Sequence, residues 1–593
     1  MKEGLFIEYT VVGLYLILMI IVGYAFRSRN QSSDDYFRAG ARGTWWLVGS
    51  SALMSAISAG VFTGVGGSMF EAGIAPMASN LGILLGHIVL WLGVAALFRQ
   101  ARTITSPEMM RERFGPVTQQ FYAYLNMMMM PVFGGFQVYA LAIFTSAVFF
   151  VPIHITIIVV GTAVGIYSVT GGKWAVMATD FLQSLTMIPV VILVAVVSVI
   201  KLGGPVDVFN KISNSGGFQA IYPSGTYPDD YYTGGWFAMI ALIAFVNQLQ
   251  MGMGARFFSA KDGPEANKAA GFLLGMGTLL VFFMFFPPLI ARAYFPDAVY
   301  DYEGILQKPA EAAYVVTCLK LMPSGILGLV LVAMFAATAS SMDTGLNTNS
   351  GDITRNILPP IRAKLGHPPL TLREELRVGR LVSIVLVIVI ISIALWMAGQ
   401  KGKGVFELVM SFGARITLPM TLPFTLAIFI RSLPRSAAIV GISFGLIFPF
   451  LLNPLIDSLF NELNAQYGSN LARNFATTAQ IVLFSSLSGI LFSYRIRQHL
   501  ESASDLETTN DFYLKMHTPV DFEKEIGKAD DHSQMHLIGK LALVAAGLLS
   551  LLLLFPNPLL GRLSILAVSL SIGTVGGLMT YFGSKGEKKL PSE

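Results

Sequence analysis

Residues 46–64 read Trp46-Leu-Val-Gly-Ser-Ser-Ala-Leu-Met-Ser-Ala-Ile-Ser-Ala-Gly-Val-Phe-Thr-Gly64. The run is apolar enough to cross a ~30 Å hydrocarbon layer, which needs about 20 helical residues. Its middle, 54–60, is rich in small residues, so a helix could break there and free backbone carbonyls for an ion. A continuous helix that packs tightly through its small residues is the alternative, and composition alone favours that alternative.

Similar apolar runs recur along the whole chain of 593 residues, which is 54% hydrophobic and only 13% charged, with a mean hydropathy of +0.63. We predict an all-α polytopic membrane protein with about fifteen transmembrane helices, because backbone groups in lipid must satisfy one another. The net charge of +5 does not indicate a nucleic-acid partner, and the single Cys318 excludes a disulfide framework. The predicted spans are 7–26, 45–69, 74–98, 119–150, 152–170, 178–202, 234–256, 268–293, 323–350, 377–399, 405–431, 436–454, 474–495, 536–555 and 559–582.

Loop charges predict the orientation. With the N-terminus outside and the C-terminus in the cytoplasm, most of the 40 Lys and Arg residues lie on the cytoplasmic side, as the positive-inside rule requires. We therefore place the chain in the cell (inner) membrane as a multi-pass protein.

The ninth span carries hydroxyl groups on one face. Ala337, Ser340, Ser341 and Thr344 follow the spacing i, i+3, i+4 and i+7 of a helix. Hydroxyl oxygens suit a hard cation such as sodium. Alternatively, Ser and Thr side chains bond back to carbonyls of their own helix.

A second interrupted polar span lies five spans after the first. The seventh span carries Asn247, Gln248 and Gln250, followed by Gly252 and Gly254. An odd unit of five spans inverts the second unit relative to the first, and each unit then begins with an interrupted helix. This pattern is typical of inverted-repeat transporters with a binding site at the midplane of the membrane.

These repeats and the loops between them define seven regions. An N-terminal extra helix and cytoplasmic loop precede the first repeat, an external loop separates the repeats, and peripheral helices, a cytoplasmic linker and a C-terminal hairpin follow. Their predicted bounds are 1–44, 45–202, 203–233, 234–431, 432–495, 496–535 and 536–593.

Four groups of residues together resemble the sodium/solute symporter family, which includes carriers of sugars, proline, pantothenate and sialic acid. The resemblance implies a leucine-transporter-type core of ten helices with one extra helix in front. The groups are Trp45-Trp46 with Ser58-Ala-Gly-Val-Phe-Thr-Gly64, Thr105-Ser-Pro-Glu108 with Arg113-Phe-Gly115, Thr170-Gly-Gly-Lys-Trp-Ala-Val with Thr179-Asp180-Phe-Leu-Gln183, and Ser340-Ser-Met-Asp343 with Leu346-Asn347.

The resemblance also implies ion ligands. One sodium would be held by three backbone carbonyls and two hydroxyls, and a second ion would be held near the sixth-span aspartate. In the second set Asp343 stands where the family has a serine, which puts that site in question. The implied sodium ligands are Met54, Ile57, Ala337, Ser340 and Ser341, and the implied second set is Asp180, Asp343 and Thr344.

The substrate positions depart from the sugar carriers of the family. Gly60, Val61 and Met410 occupy positions where those carriers place sugar-hydroxyl partners, so a hexose is disfavoured. Mid-span Arg415 would hold an anionic solute, or it pairs with Glu407 or lines an aqueous vestibule. The candidate substrate-binding residues are Ser79, Asn80, Gln137, Asn247, Gln248 and Arg415.

The sequence therefore predicts a sodium-coupled symporter that imports a small organic solute by alternating access, with Na+ as coupling ion. It predicts no organic cofactor, no enzymatic activity, no nucleic-acid partner and a functional monomer in the lipid bilayer. Proton coupling through Asp180, Asp343 or His87 is the alternative within transport, and a transporter-like membrane sensor is a further alternative.

Overall fold

The computed structural model describes residues 8, 10–15, 17–18, 38–170, 173–250, 254–323, 325–400, 404–467, 474–527 and 531–587. Within these ranges the chain folds into helices and forms no β-strand. The all-α prediction is confirmed. Most of the predicted first span, 7–26, and Gly252 of the seventh span lie outside the described residues.

The helices of the first half form the first repeat and the connection that follows it. They are α1 (Trp45–Ala56), α2 (Val61–Ala72), α3 (Ala75–Gln100), α4 (Ser106–Phe114), α5 (Pro116–Phe149), α6 (Ile153–Thr170), α7 (Lys173–Lys201) and α8 (Pro205–Asn214).

The second half supplies the second repeat and the peripheral helices. These helices are α9 (Gly234–Leu249), α10 (Gly263–Tyr294), α11 (Ala313–Leu321), α12 (Ile326–Lys364), α13 (Leu372–Ala398), α14 (Val405–Phe429), α15 (Ala437–Tyr467), α16 (Phe475–Leu500), α17 (Ala503–His517), α18 (Asp531–Leu554) and α19 (Leu559–Glu587). Short helical turns lie at Ala39–Ala41, Pro228–Asp230, Phe257–Ser259, Pro296–Tyr300, Pro309–Ala312 and Phe522–Glu525.

Eleven of these helices are long and apolar enough to cross a membrane, and the bent pair α1 and α2 adds a twelfth crossing in the described part of the chain. The prediction of about fifteen spans also counts 7–26 and the two shorter apolar helices within α6 and α9. Several helices extend beyond the predicted ends. The largest difference is in α12, which continues from the predicted end at 350 through a π-helical turn to Lys364.

The two repeats pack in a reciprocal way. The first helix of each repeat contacts the second helix of the other, because α1 packs on α10 and α9 packs on α3. Helix α12 lies between them and contacts α1, α5, α6, α7 and α13. We call the side that carries α4 and α17 the inner side, and the side that carries α8 the outer side.

Glycines bring α3 and α9 almost into backbone contact. A Cβ added to Gly82 would lie 2.0 Å from the carbonyl oxygen of Ala241, and one added to Gly86 would lie 2.5 Å from Cβ of Gln248. Small residues allow such close approach between membrane helices. This packing holds Gln248 at the centre of the bundle.

The predicted linker 496–535 is helical and attached to the core. The side chain of Ser502 accepts a hydrogen bond from the amide of Asp505 at the start of α17, which packs against α3 and α4. Arg102 donates two 2.8 Å hydrogen bonds to the carboxylate of Glu525. Beyond the linker, α18 and α19 form a hairpin that packs on α7.

We expect Gly82→Ala to destabilise the protein by about 1–3 kcal/mol, because the added methyl group cannot fit against the backbone of α9. The matched control is Gly275→Ala on α10, where an added Cβ meets nothing within 4 Å. Thermal unfolding of the two purified variants checks this prediction. A midpoint for Gly82→Ala equal to that of the control would contradict it.

Candidate functional site

The run at 46–64 forms a broken helix. Helix α1 ends at Ala56, α2 begins at Val61, and their axes differ by 53°. Ile57 has extended backbone angles, and the Val61 amide donates to the Ser58 carbonyl at 3.0 Å. The break leaves the last carbonyls of α1 without partners in their own helix.

The hydroxyl face of α12 meets this break. The Ser341 hydroxyl donates to the carbonyl oxygens of Ser55 and Ile57, each at 3.2 Å. The Thr338 hydroxyl accepts from the Ala59 amide at 3.2 Å. The structure therefore brings two of the five predicted sodium ligands, Ile57 and Ser341, into direct contact.

The other three predicted sodium ligands are buried on the same two helices. Met54 lies in the last turn of α1, and Ala337 lies one turn before Ser341 on α12. The Ser340 hydroxyl is fully buried and has no hydrogen-bond partner among the described residues. An oxygen in that situation is available to a ligand.

The predicted second ion set, Asp180, Asp343 and Thr344, lies next to α1 on two other helices. The Ser51 hydroxyl donates to the carboxylate of Asp180 on α7 at 2.5 Å, and Asp180 is fully buried. On α12, Asp343 is buried and the Thr344 hydroxyl lies 3.0 Å from the Ser55 hydroxyl. Two hydroxyls of α1 therefore contact the predicted second ion ligands, Ser51 on Asp180 of α7 and Ser55 on Thr344 of α12.

A central cavity of about 350 Å³ lies beside the broken helix. It extends from the middle of the bundle to the loop between α3 and α4 on the inner side, where Ile104, Thr105 and Ser106 line it. Its remaining surface comes from α1, α5, α9, the segment after α9, α12 and α14. It combines amides, hydroxyls and one guanidinium with Met and Phe side chains. The cavity can therefore hold a small polar molecule that has some apolar surface.

Three of the predicted substrate residues line this cavity. They are Gln137, Asn247 and Gln248. Asn247 accepts a hydrogen bond from Thr421 at 3.2 Å, and Gln248 is within 3.2 Å of His87. His87 is buried and hydrogen-bonded.

The other three predicted substrate residues lie elsewhere. Ser79 and Asn80 are not among the residues that line the cavity, and the Ser79 hydroxyl donates to the Pro76 carbonyl. Arg415 is exposed and also lies outside the lining. Its suggested partner Glu407 instead contacts Lys308.

Sequence reasoning missed the inner half of the cavity. There Asn126 lines the cavity and its side chain donates to Asp352 at 2.7 Å, and behind the lining the Gln119 side chain donates to Asn356 at 2.7 Å. Continuing the polar face of α12 by helical spacing from Thr344 through Thr348 would have reached this region. The same reasoning missed Arg256, which follows α9 and lines the cavity.

Comparison with known proteins places these features in a family. The family model described as the sodium:solute symporter family matches residues 36–445. The chain belongs to the sodium:solute symporter family. The matched region includes both repeats and every candidate site residue.

Two relatives and one solved structure illustrate the similarity. Sodium/glucose cotransporter 1 of Ovis aries is 26% identical over 447 residues, which are 70% of this chain and 66% of that protein. Sodium/myo-inositol cotransporter 2 of Bos taurus is 26% identical over 441 residues, which are 70% of this chain and 64% of that protein. The alignments thus span about two thirds of each relative.

The solved structure is that of a Na+-coupled sialic acid symporter in a substrate-bound outward-open state. It matches with a TM-score of 0.66 at 22% identity and covers 83% of this chain and 98% of that one. The likeness shows that the two proteins share a fold. This symporter-family chain is a multi-pass membrane protein.

The outer side of the family fold is closed in this structure. Five aromatic rings pack together with centroids 5.0–6.5 Å apart, in edge-to-face, tilted and stacked pairs. They belong to Tyr231, Tyr232, Trp236, Phe406 and Phe475. We call these five rings the aromatic cluster. They lie where α9, α14 and α16 meet near the outer side.

Charged side chains continue this closure. Lys308 pairs with Glu71 of α2 at 2.8 Å and with Glu407 of α14. Glu311 is almost fully buried nearby and accepts a hydrogen bond from the Val405 amide at 2.6 Å. Burial raises the pKa of Glu311 to about 8, with the neighbouring Glu407 and Glu71 adding to the shift. We call the aromatic cluster and these four charged residues the outer gate.

Glu311 predicts a pH dependence of stability. Its folded-state pKa lies above the ordinary value of 4.5, so its contribution is fully present below pH 4.5 and is lost as the pH rises through about 8. We expect Glu311→Gln to reduce the fall of the thermal midpoint over this interval, because an amide cannot ionise.

Melting curves of the wild type and the variant across the pH range test this expectation. The control is Glu303→Gln, an exposed glutamate in the same loop, which should leave the wild-type slope unchanged. Identical slopes for wild type and Glu311→Gln would show that Glu311 does not titrate as described.

Proposed function

We propose that this chain is a sodium-coupled symporter that imports a small organic solute by alternating access. The observation that carries the proposal is the contact between the Ser341 hydroxyl and the free carbonyls of the broken helix, beside a polar cavity. Hydroxyl and carbonyl oxygens are the ligands that a hard cation prefers. The relatives' names, sodium/glucose and sodium/myo-inositol cotransporter, point to the same class of activity.

Sodium would be held by the carbonyls of Met54, Ile57 and Ala337 and by the hydroxyls of Ser340 and Ser341. In this structure the Ser341 hydroxyl lies within hydrogen-bond distance of two carbonyl oxygens, those of Ser55 and Ile57, and can donate to either. Binding an ion would require that hydroxyl to turn a lone pair toward it. The bound sodium would then take the place of the hydrogen bonds from Ser341 to these carbonyls. Because the hydrogen bonds can form again when the ion leaves, the exchange supports reversible binding.

The solute would occupy the central cavity against Gln137, Asn247 and Gln248. Their amides can donate and accept hydrogen bonds, and this suits a polar solute. Ser79, Asn80 and Arg415 would contact it only in a different conformation, because they lie outside the cavity here. Asp180, Asp343 and Thr344 would hold a second ion.

Alternating access follows from the asymmetry of the cavity. The cavity reaches the inner side and the outer gate is closed, so this conformation would be inward-facing. In the opposite conformation the residues of the outer gate would separate, and the loop between α3 and α4 would close the cavity on the inner side.

We further propose that the protein acts as a monomer in the cell membrane, with the N-terminus outside and the C-terminus in the cytoplasm, as the loop charges favour. The protein would transport the solute together with Na+, and it would use no organic cofactor and catalyse no chemical reaction.

Replacing both Ser340 and Ser341 with Ala should raise the sodium concentration for half-maximal uptake at least about tenfold, since two oxygen ligands are lost. Uptake and counterflow of labelled solutes in proteoliposomes, with sodium or choline outside, measure this effect. Ser392→Ala on α13 is the control, because its hydroxyl is exposed and bonds only within its own helix. Undiminished sodium-driven uptake in the double variant would show that these serines are not sodium ligands. Uptake driven equally well by a proton gradient without sodium would favour proton coupling.

Asp180→Asn tests the second ion. The change keeps the size of the side chain and removes its charge. If Asp180 shapes a second site, the wild type should show a Hill slope for sodium above one and the variant a slope near one. A slope near one in both proteins would reject the second site.

A further inference from the structure

Arg256 makes an unusual contact with the broken helix. Its guanidinium reaches from the segment after α9 to α1, where it donates to the carbonyl oxygen of Ala52 at 2.9 Å and to that of Ser55 at 3.4 Å. Both carbonyls lie in the last turns of α1, where the helix dipole is negative. The Ser55 carbonyl is also one of the last four, which have no amide partner within their own helix. A cation is therefore well placed there.

The same helix end is the proposed sodium site. The Ser55 carbonyl accepts from Arg256 and also from the proposed sodium ligand Ser341, which in turn donates to the Ile57 carbonyl. One guanidinium and one hydroxyl thus share the oxygens at this helix end. An ion that binds beside them must compete with both donors.

Charge makes the competition stronger. A guanidinium keeps its charge, and Arg256 is the one charged side chain among the described residues that line the cavity. The carboxylate that interacts with it electrostatically is the buried Asp180 on α7, which accepts a hydrogen bond from Ser51 of α1. Two cations at one helix end repel each other, and low dielectric around them increases the repulsion.

We propose that Arg256 is a positioning residue whose fixed positive charge takes the place of sodium at the carbonyl end of α1 when the ion site is empty. In that state the guanidinium donates hydrogen bonds to the carbonyls of Ala52 and Ser55 and stabilises the end of α1 at the break. When sodium is bound, the same charge weakens its binding and favours its release to the inner side. This inference rests on the proposed sodium coupling and adds a residue that would set ion affinity and the return of the empty carrier.

The test separates two kinds of transport. Net uptake into sodium-free proteoliposomes requires the empty carrier to return, whereas counterflow with saturating sodium and solute on both sides does not. In Arg256→Gln we expect the sodium dissociation constant, measured by titration of the purified protein, to fall about tenfold. Net uptake should fall strongly while counterflow is retained.

Two further variants make the result decisive. Arg256→Lys keeps the positive charge and should retain most of the net uptake and a sodium affinity near that of the wild type. Arg562→Gln removes an exposed arginine of α19, which is outside the cavity and outside every proposed site, and should change neither measurement. If the Lys and Gln variants behave alike, or if Arg256→Gln binds sodium no more tightly than the wild type, the inference is wrong. A wild-type protein that binds no sodium would instead overturn the proposed coupling.

Discussion

The structure depends on one constraint, which is that backbone groups freed inside a membrane helix must find partners within the protein. The break between α1 and α2 creates such groups where α12 crosses α1. Ser341 serves the carbonyls of Ser55 and Ile57, and Thr338 serves the amide of Ala59. A break without these partners would cost several kcal/mol per unsatisfied group. The partners that stabilise the break are thus the same groups that make it a candidate cation site.

This constraint explains why α12 is polar along one face and buried almost throughout. The helix contacts α1, α5, α6, α7 and α13, so its hydroxyls and amides face other helices and the cavity. Near the break it supplies Ser341, and toward the inner side it supplies Asp352 and Asn356, which accept hydrogen bonds from side chains of α5. A polar helix of this kind is stable in a membrane only inside a bundle. The ion site and the inner path are therefore built on one continuous element.

The sequence predicted those features that local pattern controls. Apolar length located the spans, and helical spacing located Ser341 on the correct face of α12. The small residues at 54–60 showed where a break was possible, although composition alone favoured a continuous helix. The sequence did not predict contacts between residues far apart in the chain. The contact of Arg256 with Ala52 joins positions about two hundred residues apart, and nothing near Arg256 in the sequence indicates it. Arg415 is a second case: its mid-span position allowed a place beside the solute, a pairing with Glu407 or a place in an aqueous vestibule. The sequence could not choose among these, and in this structure the π-helical turn of α14 that contains Arg415 leaves its side chain exposed.

The outer gate and the helix break are held together by different chemistry, and this difference suits alternation. The outer gate joins apolar rings to Lys308 and its carboxylate partners at the edge of the bundle, where water can replace each partner when the gate separates. Exchanging a protein partner for water changes the free energy by only about 0.5–1.5 kcal/mol per hydrogen bond. The contacts at the helix break lie deeper, so they need a replacement within the protein or an ion. A carrier can therefore open its outer gate at small cost, while rearrangement at the break is governed by what occupies the carbonyl end of α1.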